Sequence, residues 1–348
     1  MSYSKFGIIT NDVDFSYYSD RYLNHHKSLI IQKESFLPIK GYTVDIKDKN
    51  KNIVSTLGEF FEREILINKN QSSVNSLEGF SLISGKIKVV SKDMIIYKNK
   101  FVDSCGMASH IKSCDLIKKA LYEFYERQCL VLSYLSRHPG QILEESILDN
   151  DNIKYRNYLY NFVDELKFFN ISLSESVFVV LGIGIGEKYK CIGLGTSESI
   201  VEAIKGSMQE MLQYFFSSYS KTNKKINYAT KKNTKDMYHV YFDSLTCNEF
   251  RECYKYLENG NSSISFNIFH EFNLQKFLQE MYLNYNMEPF AFFFPNQRNI
   301  GHLKIIKIID ENWFPNIYPK SFLEKTLLNV EALTGRKLDR SFEYIPFP

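Results

Sequence analysis

The chain has 348 residues, 44% of them hydrophobic and 24% charged, which describes a folded globular protein with a sizeable core and argues against intrinsic disorder. A net charge of +3 is too small to argue for nucleic acid by itself, and no apolar run approaches the roughly 18 residues a membrane span requires. The six cysteines (Cys105, Cys114, Cys129, Cys191, Cys247 and Cys253) are scattered without a CxxC pair, which speaks against a zinc ribbon or a disulfide framework and for reduced thiols.

The opening stretch, MSYSKFGIITNDVDFSYYSD, lacks the basic-then-apolar pattern of a signal peptide, so a cytoplasmic protein is expected. Residues 53–68 (IVSTLGEFFEREILIN) predict a helix, with Ser55 either capping it or sitting inside it. Residues 83–102 carry β-branched, alternating segments and predict strands. Residues 114–136 predict a long helix, stopped by His-Pro-Gly at 138–140. Residues 177–197 (VFVVLGIGIGEKYKCIGLGTS) predict a β-hairpin turning at GEKYK, and residues 198–217 a third helix. A Gly-rich hairpin before a helix invites comparison with a phosphate loop, but GIGIGEK lacks the four-residue gap before Gly-Lys that such a loop requires.

Residues 220–240 are polar and basic, carrying Lys221, Lys224, Lys225, Lys231, Lys232 and Lys235. A solvated loop is the ordinary reading of such a run; a contact surface for a peptide, a partner protein or nucleic acid is the sharper one. Residues 241–348 alternate helical and strand patterns and end in the proline-spaced YIPFP. No linker marks a boundary, so residues 1–348 are expected to form a single domain. His25, His26, His138, His239, His270 and His302 show no metal-ligand spacing.

The chemistry lies in a repeated phrase. GEFFER at 58–63 and YEFYER at 122–127 both write Glu-aromatic-aromatic-Glu-Arg. At about 100° per residue, Ser55, Glu59 and Glu62 fall within an arc of about 60° on the first helix, with Arg63 beside Glu59. On the second, Asp115, Glu123 and Glu126 share an arc of about 80°, with Arg127 at its edge. Glu210 and Gln213 share a face of the third helix. Glu59–Arg63 and Glu123–Arg127 can be ordinary i,i+4 ion pairs, each contributing only about 0.2–0.5 kcal/mol. Two features go further. The helices are apolar over most of their circumference, so these carboxylates are expected to be partly buried and to need partners. Glu59, Glu62, Asp115, Glu123, Glu126 and Glu210 also outnumber the two motif arginines. Hard carboxylate oxygens in excess suit Mg²⁺, which is commonly shared between carboxylates and substrate phosphates.

At these residues the chain resembles the YcaO family. The family's S-x-x-x-E-x-x-E-R motif is matched by Ser55, Glu59, Glu62 and Arg63. A second motif is matched by SCGMAS at 104–109 and by Glu123, Glu126 and Arg127, with Asp115 standing where the family usually has Glu. The E-x-x-Q motif is matched by Glu210 and Gln213. The resemblance spans about residues 53–214 and implies an α+β fold with mixed and antiparallel sheets and glutamate-bearing helices, residues 241–348 completing the domain. It implies ATP and Mg²⁺ as cofactors. Mg²⁺ would be held by Glu62, Glu123, Glu126 and Glu210, with Asp115 shorter than the usual ligand. The nucleotide would be contacted by Ser55, Glu59, Arg63, Arg127 and Gln213, and by an N-terminal lysine for which Lys47, Lys49 and Lys51 are equal candidates.

Within the family the chain is most similar to the cyclodehydratase subunit of thiazole/oxazole-modified microcin biosynthesis. Members that form azolines often end in a proline-spaced tail, matched here by Pro346 and Pro348, and the terminal carboxylate of Pro348 would serve as general base. The resemblance then implies ATP-dependent conversion of Cys, Ser or Thr in a ribosomal precursor peptide to thiazoline or oxazoline. It also implies a separate E1-like, leader-binding partner and a flavin-dependent dehydrogenase nearby, with no nucleic acid or membrane. Thioamide or amidine formation, or a non-catalytic scaffold subunit, are the alternatives.

Overall fold

A computed structural model describes residues 4–5, 13–20, 25–32, 39–45, 49–67, 76–96, 102–219, 237–263, 272–294 and 302–348. The chain divides into two compact units, Met1–Phe124 with Pro289–Asp310, and Tyr125–Glu288 with Glu311–Pro348.

The first unit contains two sheets. One is an antiparallel meander of β1 (Ser4–Lys5), β2 (Val13–Asp20), β3 (His25–Gln32) and β4 (Ile39–Asp45). Helix α1 (Lys49–Ile67) packs on β3 and β4. Gly41 allows the close approach, since a Cβ there would lie 2.3 Å from the Thr56 carbonyl oxygen, and the Thr43 and Thr56 hydroxyls share a 2.5 Å hydrogen bond. The second sheet contains β5 (Ser76–Ser81), β6 (Ile87–Ser91), β7 (Met107–His110), β13 (Phe290–Phe294) and β14 (Lys304–Ile309), in the order β6-β5-β13-β14-β7. Phe60, Phe61, Ile65 and Leu66 of α1 join Val90, Met107, Phe292 and Ile305 of this sheet in one apolar cluster. Helix α2 (Ser113–Ser136) follows β7 and runs from the first unit into the second.

The second unit is built on the sheet β11-β10-β9-β8-β12. Its strands are β8 (Gln141–Leu143), β9 (Glu165–Asn170), β10 (Phe178–Ile185), β11 (Lys190–Ser197) and β12 (Ser262–Ser263). All neighbours pair antiparallel except β8 and β12. Helix α3 (Asn150–Leu159), capped by the Asp149 side chain, packs on α4 (Ile200–Tyr219), and α4 lies across β10 and β11. Two glycines set that last distance. A Cβ at Gly195 would lie 2.0 Å from the Ala203 carbonyl oxygen, and one at Gly193 2.2 Å from that of Ser207. The unit is completed by α5 (Met237–Ser244), α6 (Cys247–Tyr254), α7 (Leu274–Tyr285) and α8 (Glu324–Thr334). A capping box at Thr246 and Glu249 starts α6, and Gly335, at φ 66°, ends α8. The C-terminal tail is held in this unit: the Tyr254 hydroxyl donates to the Pro346 carbonyl at 3.1 Å, and Phe347 is buried.

The three helices and the hairpin form where the sequence predicts them, within a few residues. Helix α1 begins four residues before the predicted start, which places Ser55 inside it rather than at its cap. Of the stretch 83–102, residues 97–101 lie outside the described residues, and the described part contains one strand. Strand β6 occupies its middle, and a 3₁₀ turn follows at Lys92–Met94, where the Ser91 hydroxyl accepts from Asp93 N–H. The partner strand β5 (SLEGFS) has too little β-branched character to be predicted. The lysines of the basic run, Lys221 to Lys235, lie outside the described residues, as does Lys47. Among the described residues no helix is long and apolar enough to cross a membrane.

Candidate functional site

In the first unit α1 and α2 bring carboxylates together. Glu62 keeps part of its surface open, but protein surrounds its carboxyl group on most sides, and that desolvation pushes its pKa up to about 7. Lys119 and a hydrogen bond from the Ser109 side chain oppose the shift, while Glu123 and Glu59 add to it. Ser109 reaches this spot because residue 58 is glycine: a Cβ on Gly58 would lie 2.5 Å from the Ser109 hydroxyl. Glu59 is held by Arg63 at 2.5 Å, the i,i+4 pair expected from the sequence. Ser55 is half-buried on the same helix, and Lys51 is exposed.

Behind Glu123 lies a buried cation. Lys307 of β14 is 1% exposed and donates to the Asp103 carbonyl at 2.5 Å, with Glu123 among the charges acting on it. Its burial holds its pKa below the usual lysine value. The loop it braces leads into β7. Asp103 Oδ1 accepts from Cys105 N–H at 2.9 Å, and Gly106 turns at φ 70° against the Ile308 carbonyl oxygen.

Asp115 stands apart. It is exposed in the first turn of α2, 3.8 Å from His110 Nδ1, where an acid also suits the helix dipole. Eight residues at about 1.5 Å each put it some ~12 Å along the axis from Glu123, too far for one small ion to bind both.

The second unit holds a tighter group. Glu126, 8% exposed, accepts from the Thr196 hydroxyl at 2.7 Å and lies 3.8 Å from Arg127 Nε. Arg127 Nη2 donates to Glu210 Oε1 at 3.4 Å. The other oxygen of Glu210 accepts from the backbone N–H of Leu194 at 2.5 Å. The Arg127 guanidinium lies 4.8 Å from the centre of the Phe347 ring, a cation–π contact with the C-terminal tail. Gln213 lies half-buried three residues beyond Glu210. Pro348 is partly exposed at the end of this tail.

Among the described residues no three His, Cys, Asp or Glu side chains close around a point as in an all-protein metal cage. The donor set nevertheless fits Mg²⁺. It consists of carboxylate oxygens, and Mg²⁺ is typically bound by one or two of these, with waters and substrate phosphates completing the octahedron. The raised pKa of Glu62 marks a site that disfavours uncompensated negative charge and that a cation would relieve.

A family model described as YcaO cyclodehydratase, ATP- and Mg²⁺-binding, matches residues 53–268. The chain belongs to the YcaO family. The motif residues Ser55, Glu59, Glu62, Arg63, Asp115, Glu123, Glu126, Arg127, Glu210 and Gln213 all fall within the matched span, and Pro348 lies beyond it.

Solved structures agree with the YcaO assignment at the level of fold. A chain of the E. coli microcin synthetase McbBCD complex with pro-MccB17 bound is similar over 100% of both chains, at a TM-score of 0.78 and 18% identity. YcaO from Methanopyrus kandleri bound with AMPPCP and Mg²⁺ is similar over 84% of each chain, at 0.67 and 12%. A heterocyclase in complex with substrate and cofactor is similar over 97% of this chain and 54% of its own, at 0.71 and 11%. No curated protein matches the chain by sequence. The arrangement of helices and largely antiparallel sheets is thus the YcaO fold.

Sequence reasoning does not single out Lys119, Thr196, Lys307 or Phe347. Thr196 stands just before the stretch that opens α4, and Phe347 stands between the two tail prolines, so both lie near recognised motifs. Lys307 carries no signal: a lysine within KIIKII reads as the polar face of a strand, yet it is buried.

Proposed function

We propose that the chain is an ATP-dependent cyclodehydratase that converts Cys, Ser or Thr residues of a ribosomal precursor peptide to thiazolines or oxazolines. One observation carries the reading furthest. Arg127 pairs with the motif acids Glu126 and Glu210 and also lies against Phe347, so motif acids and proline-spaced tail meet within one unit.

In the proposed reaction the Cys, Ser or Thr side chain attacks the preceding carbonyl carbon and gives up its proton as the new C–S or C–O bond forms. The oxyanion takes the γ-phosphoryl group of ATP and releases ADP. Loss of the amide proton and departure of phosphate then form the C=N bond, so the carbonyl oxygen leaves on phosphate. Bound Mg²⁺ would supply charge neutralisation for phosphoryl transfer. Glu62 and Glu123 of the first unit, and Glu126 and Glu210 of the second, are the proposed Mg²⁺ ligands, with Asp115 a weaker candidate. Ser55, Glu59, Arg127 and Gln213 are proposed to contact nucleotide, and Arg63 to do so or to hold Glu59. The Pro348 carboxylate is proposed as the base for ring closure. A separate leader-binding protein and a flavin-dependent dehydrogenase are the proposed partners, and residues 1–348 are proposed to work as one catalytic domain.

The test is ATP binding with and without Mg²⁺, beside Glu126→Gln. Magnesium-dependent binding that the variant loses is expected; binding that ignores both would sink the assignment. Deleting residues 346–348 should abolish loss of water from the peptide and spare ATP binding. Unaltered modification would remove the tail from the mechanism.

A further inference from the structure

The second unit contains a cleft of about 630 Å³ that none of the motif acids lines; its walls are the start of β8, the segment after β9, the loop before β12 and Arg336. Its volume is that of a ligand pocket. The polar lining includes four amides, Gln141, Asn170, Asn259 and Asn261, and three serines, Ser133, Ser172 and Ser174; Asn170 Nδ2 donates to Gln141 Oε1 at 3.1 Å and Asn170 Oδ1 accepts from Ser172 N–H at 3.2 Å.

Arg336 is the unusual member. It is half-buried just after α8, and the groups acting on its charge are Tyr285 and Cys129, neither a carboxylate. The acids of α8 are engaged elsewhere: Arg340 holds Glu324 at 3.0 Å and Glu331 at 2.8 Å. A desolvated guanidinium with no acid beside it among the described residues is costly, and a bidentate oxyanion is its best complement. His138, also in the lining, has its pKa lowered by burial and by Arg336, which disfavours a second positive charge there. Glu175, also in the lining, is exposed. Among the described residues the cleft therefore offers a single inner cation, which matches one carboxylate better than a doubly charged phosphate.

We infer that this cleft binds a segment of the peptide substrate, with Arg336 receiving an acidic side chain and the amide and hydroxyl groups of its walls hydrogen-bonding the peptide backbone. The inference rests on the reading of the substrate as a peptide. Asn and Gln present donors and acceptors together, as an extended backbone does, whereas a free anion needs only donors.

The test is calorimetric titration of the full chain with acetyl-Ala-Glu-Ala-Ala-amide, its Gln counterpart, glutarate and inorganic phosphate. The Glu peptide is expected to bind about tenfold or more tightly than the Gln peptide, the usual effect of a charge-assisted hydrogen bond. Arg336→Gln should erase that preference and Arg336→Lys should keep part of it. Equal binding of the two peptides, or a preference unchanged in Arg336→Gln, overturns the inference. Glutarate or phosphate binding as tightly as the Glu peptide also overturns it, making the cleft a site for a free anion. Mg²⁺-dependent ATP binding, measured on the same variants, reports folding. Its absence from the wild type with the Glu preference intact would count against the catalytic reading alone.

Discussion

With its pKa pushed up to about 7, Glu62 holds a proton in the folded chain that it releases near pH 4.5 when unfolded. The folded state binds more protons between those values, so this contribution is fully present below about pH 4.5 and is lost as pH rises through about 7. Its ceiling is about 3 kcal/mol. Glu62→Gln should flatten that slope in Mg²⁺-free urea denaturation and stabilise the protein at about pH 8 by about 1 kcal/mol or more. An unchanged slope would show that Glu62 is ionised throughout. At Arg127, Phe347→Ala removes a cation–π contact of about 0.5–2 kcal/mol. It should free the tail and depress peptide modification at least as much as it weakens Mg²⁺-dependent ATP binding; the reverse ranking would argue that Phe347 serves nucleotide binding. The candidate glutamates are legible as residues because a repeated spacing marks them. The partnerships of Ser109, which closes the SCGMAS stretch, and of Thr196 are not, because each meets its glutamate across a long stretch of chain, and only folding brings Ser109 to Glu62 and Thr196 to Glu126.

Elements are legible where periodicity is strong. Helices α1, α2 and α4 and the β10–β11 hairpin declare themselves, whereas β5, short and poor in β-branched residues, does not. The glycines of GIGIG and GLG suggest turns and phosphate loops to a reader of the sequence. Gly186 does open the hairpin turn, but Gly193 and Gly195 lie within β11 and admit the backbone of α4. Gly195→Ala would press a methyl group into the Ala203 carbonyl and should cost about 1–3 kcal/mol in chemical denaturation, as overpacked cores do. A neutral substitution would mean that α4 yields freely.

At the scale of the molecule the chain doubles back. Residues 289–310 return to the first unit and supply β13 and β14, which stand between β5 and β7 in their sheet. Nothing in composition announces this return, since no linker flanks it. A fragment of residues 1–240 holds every motif glutamate yet lacks those two strands. It should fail to fold cooperatively, exposing the unpaired edges of β5 and β7. A sharp thermal transition from that fragment would contradict this.

The glycine-lined contact between β11 and α4 has few side-chain knobs to stop the helix from sliding. Two polar catches do so: the Ser207 hydroxyl donates to the Gly193 carbonyl at 3.0 Å, and Glu210 accepts from Leu194 N–H. If Glu210 also receives a cation, the metal draws charge from the carboxylate, and the oxygen facing Leu194 N–H becomes a weaker acceptor. Loading the nucleotide would then loosen one catch of the helix, and the Leu194 amide should exchange its hydrogen faster with Mg²⁺-ATP than without it.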